Sequence, residues 1–136
     1  MKNINFVMMQ TAHNFASMSY CKRKQVGAVL GNNGRIVACG YNGTIPGADN
    51  CCEGPDGQTS EFVLHAEQNL LTFCNREGLK TEGCTLYVTM APCKTCSKLI
   101  ASAGIREVFY DETYRDLDGV QFLKDLGIKI EQIKGK

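Results

Sequence analysis

The chain has 136 residues, enough for one domain with a buried core and too few for a second catalytic domain. Fifteen Lys and Arg oppose fourteen Asp and Glu, so the net charge of +1 creates no overall field that would attract nucleic acid or an anionic membrane. An anionic ligand must therefore be held by local charges. We expect a single domain over residues 1–136.

The N-terminal segment predicts an amphipathic helix that ends near Tyr20. Asn, Gln, Thr and His interrupt its apolar residues, so it predicts neither a signal peptide nor a membrane span, and we expect a cytoplasmic protein with no membrane partner. The apolar positions recur at the spacing of one helix face. This predicted core face comprises Ile4, Val7, Met8, Thr11, Phe15 and Met18. His13 then lies on the opposite, polar side.

A hairpin and a long loop follow. The runs 26–30 and 35–40 are short and rich in apolar and β-branched residues, which predicts two strands. The Gly-Asn-Asn-Gly between them favours a tight antiparallel connection. Residues 41–61 are rich in Gly, Asn, Asp and Pro and predict a loop, and a loop of this length in a compact domain is usually functional.

The second half of the chain alternates helices with strands. Helical periodicity and closing glycines predict a helix from near Leu64 to Gly78, and two more at 94–104 and 118–127. Apolar runs predict strands at 84–90, 105–110 and 128–133. Each crossover helix must bury its apolar side against the sheet, so we predict an α/β fold with three α/β/α layers around a mixed sheet of about five strands.

Two short motifs carry ligands for a metal ion, His-Ala-Glu at 65–67 and Pro-Cys-Lys-Thr-Cys at 92–96. One imidazole and two thiolates suit Zn²⁺, and three protein ligands leave the fourth tetrahedral position for water, as in catalytic zinc sites. Cys93 and Cys96 are three residues apart at a predicted helix start, where both sulfurs face the same way and the positive helix end favours thiolates. We predict one catalytic Zn²⁺ on His65, Cys93 and Cys96.

Glu67 is predicted to carry protons and not to bind the metal. Zinc lowers the pKa of a bound water toward neutrality, and a carboxylate at this position would take the proton, deliver it to a ring nitrogen and protonate the departing amine. A lone CxxC is more often structural or redox-active, and a lone HxE is usually a surface pair. Together in this order they form the signature of zinc nucleobase deaminases.

With these motifs in place, the chain resembles the deoxycytidylate deaminases of the cytidine deaminase superfamily over almost its whole length. The resemblance extends to Gly-Tyr-Asn-Gly at 40–43, Asp-Asn-Cys at 49–51 and Ala-Gly-Ile at 103–105. It implies the three-layer cytidine deaminase-like fold and the hydrolysis of dCMP to dUMP and ammonia, which would supply thymidylate synthesis.

Other activities stay open. A deaminase could act on dCTP as well as dCMP, on free cytosine or cytidine, on guanine, or on adenosine in tRNA. The near-neutral charge counts against tRNA. In a different class, the chain could be a silent nucleotide-binding zinc module. Glu67 counts against that reading, because a silent module needs no proton carrier beside an open metal position.

The resemblance also implies the substrate contacts. Asn42 would contact the sugar or the phosphate, and Tyr114 would close over the substrate. The 5′-phosphate needs a local cation, for which the candidates are Arg23, Lys24, Arg106 and Arg115. A guanidinium binds phosphate in a bidentate fork, which favours Arg23 and Arg115.

Assembly and regulation follow from the resemblance alone. The family is often hexameric, activated by dCTP and inhibited by dTTP, which implies a homo-oligomer, a hexamer, and Mg²⁺ with a regulatory nucleotide. Pro46 follows Gly43 after two residues where many relatives have one, so the loop to which the resemblance assigns this regulation departs here from the family pattern. Some relatives bind a second zinc through cysteines resembling Cys21 and Cys51, but the insertion that supplies a further histidine is missing, and we expect one zinc.

Overall fold

The computed structural model describes residues 3–114 and 116–135. The helices in these residues are α1 (Ile4–Ala16), α2 (Ala66–Glu77), α3 (Lys94–Ser102) and α4 (Asp118–Asp125). The strands are β1 (Gly27–Asn32), β2 (Arg35–Tyr41), β3 (Gly43–Thr44), β4 (Val63–Leu64), β5 (Thr85–Met90), β6 (Glu107–Glu112) and β7 (Lys129–Gln132). None of the described helices combines the length and the hydropathy that a bilayer crossing requires.

Five strands form one mixed sheet in the order β2-β1-β5-β6-β7. β1 is antiparallel to both β2 and β5, whereas β5, β6 and β7 are parallel. The hairpin predicted from Gly-Asn-Asn-Gly forms because Asn33 and Gly34 both adopt positive φ, 52° and 76°, as a two-residue type I′ turn requires. The predicted mixed sheet of five strands is confirmed.

Helices cover both faces of this sheet. Val29, Tyr87 and Phe109 point to one face, where they pack against α1. Their strand neighbours point to the other face, because successive side chains of a strand alternate. There they pack against α2, α3 and α4, in a cluster that includes Leu30, Leu70, Leu86, Val88, Ile100, Val108 and Leu123. The predicted three-layer α/β/α architecture is therefore confirmed.

The predicted core face of α1 is partly wrong. Val7 and Met18 are 53% and 57% exposed, and the helix ends at Ala16 instead of near Tyr20. The buried residues of α1 are Met8, Met9, Ala12 and Ala16. Small residues lie on this face because the helix sits directly on β1, where a Cβ atom at Gly27 would be only 2.0 Å from the Ala12 carbonyl oxygen.

His13 is not on a polar, solvent-facing side of α1. Its Nε2 lies 2.7 Å from Asp111 Oδ2, and its side chain is only 11% exposed. Burial alone would raise the pKa of Asp111, but hydrogen bonds from the Gly135 N–H and His13, with the charges of His13 and Lys134, outweigh burial and lower it. Local periodicity misses this pair because the partner is 98 residues away in the chain.

The long loop contains more order than its composition predicts. Gly43–Thr44 pairs with Val63–Leu64 in a two-stranded ribbon, so α2 begins at Ala66 and not near Leu64. The loop also satisfies its own backbone groups, because the Val63 N–H donates to the Ser60 carbonyl at 3.2 Å and the Ile45 N–H donates to the Phe62 carbonyl at 2.9 Å.

A disulfide bond joins Cys21 to Cys52. Cys51, the residue that resembles a ligand of a second zinc, is exposed and has a free thiol that donates to the Glu53 carbonyl at 2.9 Å. The segment before β1 is therefore attached covalently to the long loop.

Candidate active site

The two predicted motifs meet at the N-termini of α2 and α3. β5 ends at Met90, and the chain passes through Pro92 to Cys93, the residue that caps α3. His65 occupies the N-cap position of α2, and its N–H donates to the Gln68 side chain at 2.8 Å. In open α/β sheets, ligands bind beyond the carboxyl ends of parallel strands, and β5 is one of those strands.

The side chains of His65, Cys93 and Cys96 form a compact cluster. His65 Nδ1 is 3.2 Å from Cys96 Sγ and 3.6 Å from Cys93 Sγ, and all three ligand atoms lie within 4.8 Å of one another. A tetrahedral zinc ion with ordinary Zn–N and Zn–S bonds separates its nitrogen and sulfur ligands by about 3.6 Å. Both the donor chemistry and the spacing of the cluster therefore fit Zn²⁺.

The two cysteines of the cluster differ in their acidity. A hydrogen bond from the Cys96 thiol and another from His65 lower the pKa of Cys93 to about 4. The same hydrogen bond to Cys93, together with burial, raises the pKa of Cys96. The hydrogen bond to Cys93 likewise raises the pKa of His65. Cys93 is therefore the more acidic of the two thiols, as expected for a cysteine at a helix N-terminus.

Glu67 is buried beside this cluster. It is the second residue of α2 and only 4% exposed, and burial raises its pKa to about 7. A carboxyl group with a pKa near the working pH can both accept and release a proton, which is the requirement for general acid–base catalysis.

Glu67 and the metal-ligand cluster open onto one cavity of about 550 Å³, a volume typical of sites for small ligands. The predicted site residues that line it are Arg23, Asn42, His65, Glu67, Cys93 and Tyr114. Cys96 is fully buried behind this lining. The cavity thus joins a buried carboxyl group and a metal-ligand cluster to the exposed cation Arg23.

Asn42 and Tyr114 line the cavity in different ways. The Asn42 amide donates to the Lys24 carbonyl at 2.8 Å and accepts from the Val26 N–H at 2.9 Å, which leaves a second N–H and a lone pair for a ligand. Lys24 Nζ lies 5.1 Å from the centre of the Tyr114 ring, within range of a cation–π interaction. Through its hydrogen bonds to Lys24 and Val26, Asn42 also holds the segment before β1 in place.

Two of the four candidate phosphate cations lie at the cavity. Arg23 and Lys24 line the cavity, although the sequence favoured Arg23 over Lys24. Arg106 does not line the cavity, and its guanidinium lies 3.1 Å from the Glu107 carboxylate. Arg115 lies outside the described residues.

Sequence reasoning missed several residues of the cavity. Met90 lines it, and its position at the carboxyl end of a parallel strand, just before the Pro-Cys motif, was an available signal. Glu53 and Thr59 also line it and pair with each other across the long loop. No local sequence pattern marks these two residues, because the fold of the loop alone brings them to the cavity.

Comparison with known proteins agrees with this geometry. The model of the cytidine and deoxycytidylate deaminase zinc-binding region matches residues 2–112. The deoxycytidylate deaminase of Enterobacteria phage T4 is 33% identical to the chain, over 95% of the chain and 89% of that protein. ComE operon protein 2 of Bacillus subtilis is 36% identical, over 96% of the chain and 71% of that protein.

A solved structure is similar over the whole fold. The dCMP deaminase of the cyanophage S-TIM5, crystallised in complex with dCMP and dUMP, superposes with a TM-score of 0.94 and 44% identity, covering 98% of each chain. The family model covers both metal-ligand motifs, and the cyanophage structure covers 98% of the chain. The chain belongs to the cytidine and deoxycytidylate deaminase family.

Proposed function

We propose that the protein is a zinc-dependent dCMP deaminase, which hydrolyses dCMP to dUMP and ammonia within a single domain over residues 1–136. The observation that carries the proposal is the convergence, in one cavity, of the His65, Cys93 and Cys96 cluster with the buried carboxyl of Glu67. The cyanophage relative with dCMP and dUMP bound, and the phage T4 deoxycytidylate deaminase, support the choice of substrate.

His65, Cys93 and Cys96 would hold one Zn²⁺ ion. Bound zinc supplies Lewis acidity that lowers the pKa of a water molecule toward neutrality. With three protein ligands, such an ion would keep a coordination position for water. Cys93 and Cys96 are held by the first turn of α3, so the cluster would need little rearrangement to bind a metal. Its side chains keep their spacing because both helix starts are fixed by backbone hydrogen bonds, Asn69 N–H to His65 and Ser97 N–H to Cys93.

Glu67 would move the protons of the reaction. Hydrolysis replaces the exocyclic amine of cytosine by an oxygen from water, so one proton must reach the ring nitrogen and another must reach the departing amine. Glu67 accepts one proton from the attacking water and delivers it to the ring nitrogen. It then takes the second proton, from the hydroxyl now on the ring carbon, and delivers it to the amine, which leaves as ammonia. Its burial keeps the carboxyl away from bulk solvent, and its pKa of about 7 suits both uptake and release of a proton.

The opposite, exposed part of the cavity would hold the sugar and the phosphate. Arg23 and Lys24 are the described cations that line the cavity, and they supply the local charge that a net charge of +1 does not. Asn42 offers its remaining N–H and lone pair to a sugar hydroxyl, and Tyr114 covers the ligand from beside Lys24.

A panel of substrates tests this assignment. Ammonia release by the zinc-loaded protein should be fastest with dCMP among dCMP, dCTP, CMP, deoxycytidine, guanine and a tRNA anticodon stem. Faster release with dCTP than with dCMP would move the assignment to a triphosphate deaminase. No release with any of these substrates would favour the silent nucleotide-binding module.

Regulation and assembly are part of the same proposal and rest on family resemblance. We expect a homo-oligomer, and sedimentation as a monomer at working concentration would contradict this. Repeating the dCMP assay with dCTP, and with dTTP, each with and without Mg²⁺, tests for activation and inhibition. Unchanged rates would show that the Pro46 region, which departs from the family pattern, does not support regulation.

A further inference from the structure

Residues 21–24, the segment that carries the cavity cations Arg23 and Lys24, are held in place at several consecutive positions. Its first residue, Cys21, is bonded to Cys52 of the long loop. Near its end, the Lys24 carbonyl accepts from the Asn42 amide at 2.8 Å. The backbone of the segment is therefore held at both ends. This matters because Arg23 and Lys24 are exposed, and a fixed backbone limits the directions that their long side chains can take.

Between these two points, a single carboxylate holds the segment. Glu53 Oε2 accepts from the Lys22 N–H at 3.1 Å and from the Arg23 N–H at 3.3 Å, and Oε1 lies 3.3 Å from the Lys22 nitrogen. Glu53 follows Cys52 directly, and its side chain lines the same cavity as Arg23 and Lys24. Hydrogen bonds from N–H groups to an ionised carboxylate are stronger than those between neutral groups.

The placement of this carboxylate needs an explanation. The negative charge of Glu53 beside Arg23 and Lys24 repels a phosphate, so its charge does not explain why a carboxylate lies at this end of the cavity. As a hydrogen-bond acceptor, however, the side chain fixes the peptide groups of Lys22 and Arg23 and so lowers the entropy lost when a phosphate binds.

We propose that Glu53 is a positioning residue for the phosphate end of the substrate, which acts by accepting hydrogen bonds from the Lys22 and Arg23 backbone. The proposal rests on the proposed function of the same cavity. It predicts that Glu53 affects substrates that carry a 5′-phosphate and leaves unchanged those that lack it, because the base binds near Glu67, at the buried part of the cavity.

Two variants separate the acceptor from the charge. Glu53→Ala removes both, whereas Glu53→Gln keeps an acceptor oxygen and removes the charge. Glu61→Gln is the matched control, because Glu61 is exposed in the same loop and does not line the cavity. Thermal unfolding of each variant identifies any general loss of folding.

Steady-state kinetics with dCMP and with deoxycytidine provide the main readout. In Glu53→Ala we expect KM for dCMP to rise about tenfold, the effect of losing one charged hydrogen bond, with kcat within about twofold. The kcat/KM for deoxycytidine should stay unchanged, and Glu53→Gln should restore most of the affinity for dCMP. An unchanged KM for dCMP in Glu53→Ala, equal losses with both substrates, or a Glu53→Gln variant as impaired as Glu53→Ala would each overturn the proposal.

Product binding by calorimetry distinguishes a failure of this inference from a failure of the proposed function. Wild-type protein that forms no dUMP from dCMP contradicts the proposed function. Independently of turnover, Glu53→Ala should weaken binding of dUMP and not of deoxyuridine. Equal binding of dUMP by Glu53→Ala and wild type, or no binding of dUMP by the wild type, would overturn the positioning role.

Discussion

Gly119, in the first turn of α4, lies against the backbone that carries Cys93. A Cβ atom at Gly119 would be 2.2 Å from the Pro92 carbonyl oxygen, 0.8 Å less than the 3.0 Å below which real Cβ contacts essentially never occur, and 2.6 Å from the Cys93 carbonyl carbon. Both are backbone atoms, so neither can rotate away. The substitution Gly119→Ala must therefore move α4 or residues 92 and 93 by about 1 Å.

This displacement should lower both the stability and the metal affinity of the protein. Overpacking of this kind lowers the unfolding free energy by about 1–3 kcal/mol. Moving Cys93 away from His65 and Cys96 should weaken zinc binding by about tenfold or more, as loss of a group that orients a ligand does. Urea denaturation of the metal-free protein measures the first effect, and competition with a chromophoric chelator measures the second.

Gly43→Ala is the control for this experiment, because a Cβ atom at Gly43 meets no heavy atom within 4 Å. It should change the unfolding free energy by less than about 1 kcal/mol and leave zinc affinity unchanged. If Gly119→Ala matched the wild type in both measurements, the close packing of α4 would not be what fixes the position of Cys93.

Three further predictions concern stability. Because the pKa of Asp111 is lowered in the folded protein, its contribution to the unfolding free energy is complete above the unfolded pKa of about 3.9 and is lost as the pH falls through the folded value. Between pH 7 and pH 3, the unfolding free energy of the wild type should therefore fall more than that of Asp111→Asn. Equal decreases would contradict this. Leu70 is fully buried, so Leu70→Ala should lower the unfolding free energy by about 2–5 kcal/mol. Leu99 is 41% exposed, so Leu99→Ala should lower it by less than about 1 kcal/mol. Similar losses in the two variants would place Leu70 outside the core. The Cys21–Cys52 bond spans 31 residues of sequence, and its reduction should lower the unfolding free energy by about 3–4 kcal/mol. A thiol reagent should detect six thiols in the denatured, unreduced protein, and eight would show that the bond is absent.

Local sequence patterns were sufficient for most of the fold. The hairpin was predictable because Asn33 and Gly34 tolerate the positive φ of the turn, and the later helices because Gly78 and Gly104 stop them. The buried face of α1 was not, because close approach of Gly27 requires small residues such as Ala12, and small residues add little to a hydrophobic pattern. Pairings that depend on distant residues, such as His13 with Asp111, leave no local trace.

The metal-ligand cluster was more predictable than the rest of the cavity. His65, Glu67, Cys93 and Cys96 lie in two short motifs whose spacing follows from helix starts, and the structure brings them together. Glu53, in contrast, reaches the cavity only through the path of the long loop and its link from Cys52 to the segment before β1. A carboxylate that binds backbone N–H groups has no required spacing from its partners, so its role emerges only in three dimensions.

The most direct test of the central claim is the formation of dUMP from dCMP by the zinc-loaded protein and by Glu67→Gln, with zinc content measured on the same samples. We expect the wild type to form one ammonia for each dUMP. Glu67→Gln should keep about one zinc per chain but lose activity by a factor of about 10² to 10⁴, because the proton carrier is gone. A zinc-loaded wild type that forms no dUMP, or a Glu67→Gln variant as active as the wild type, would contradict the account.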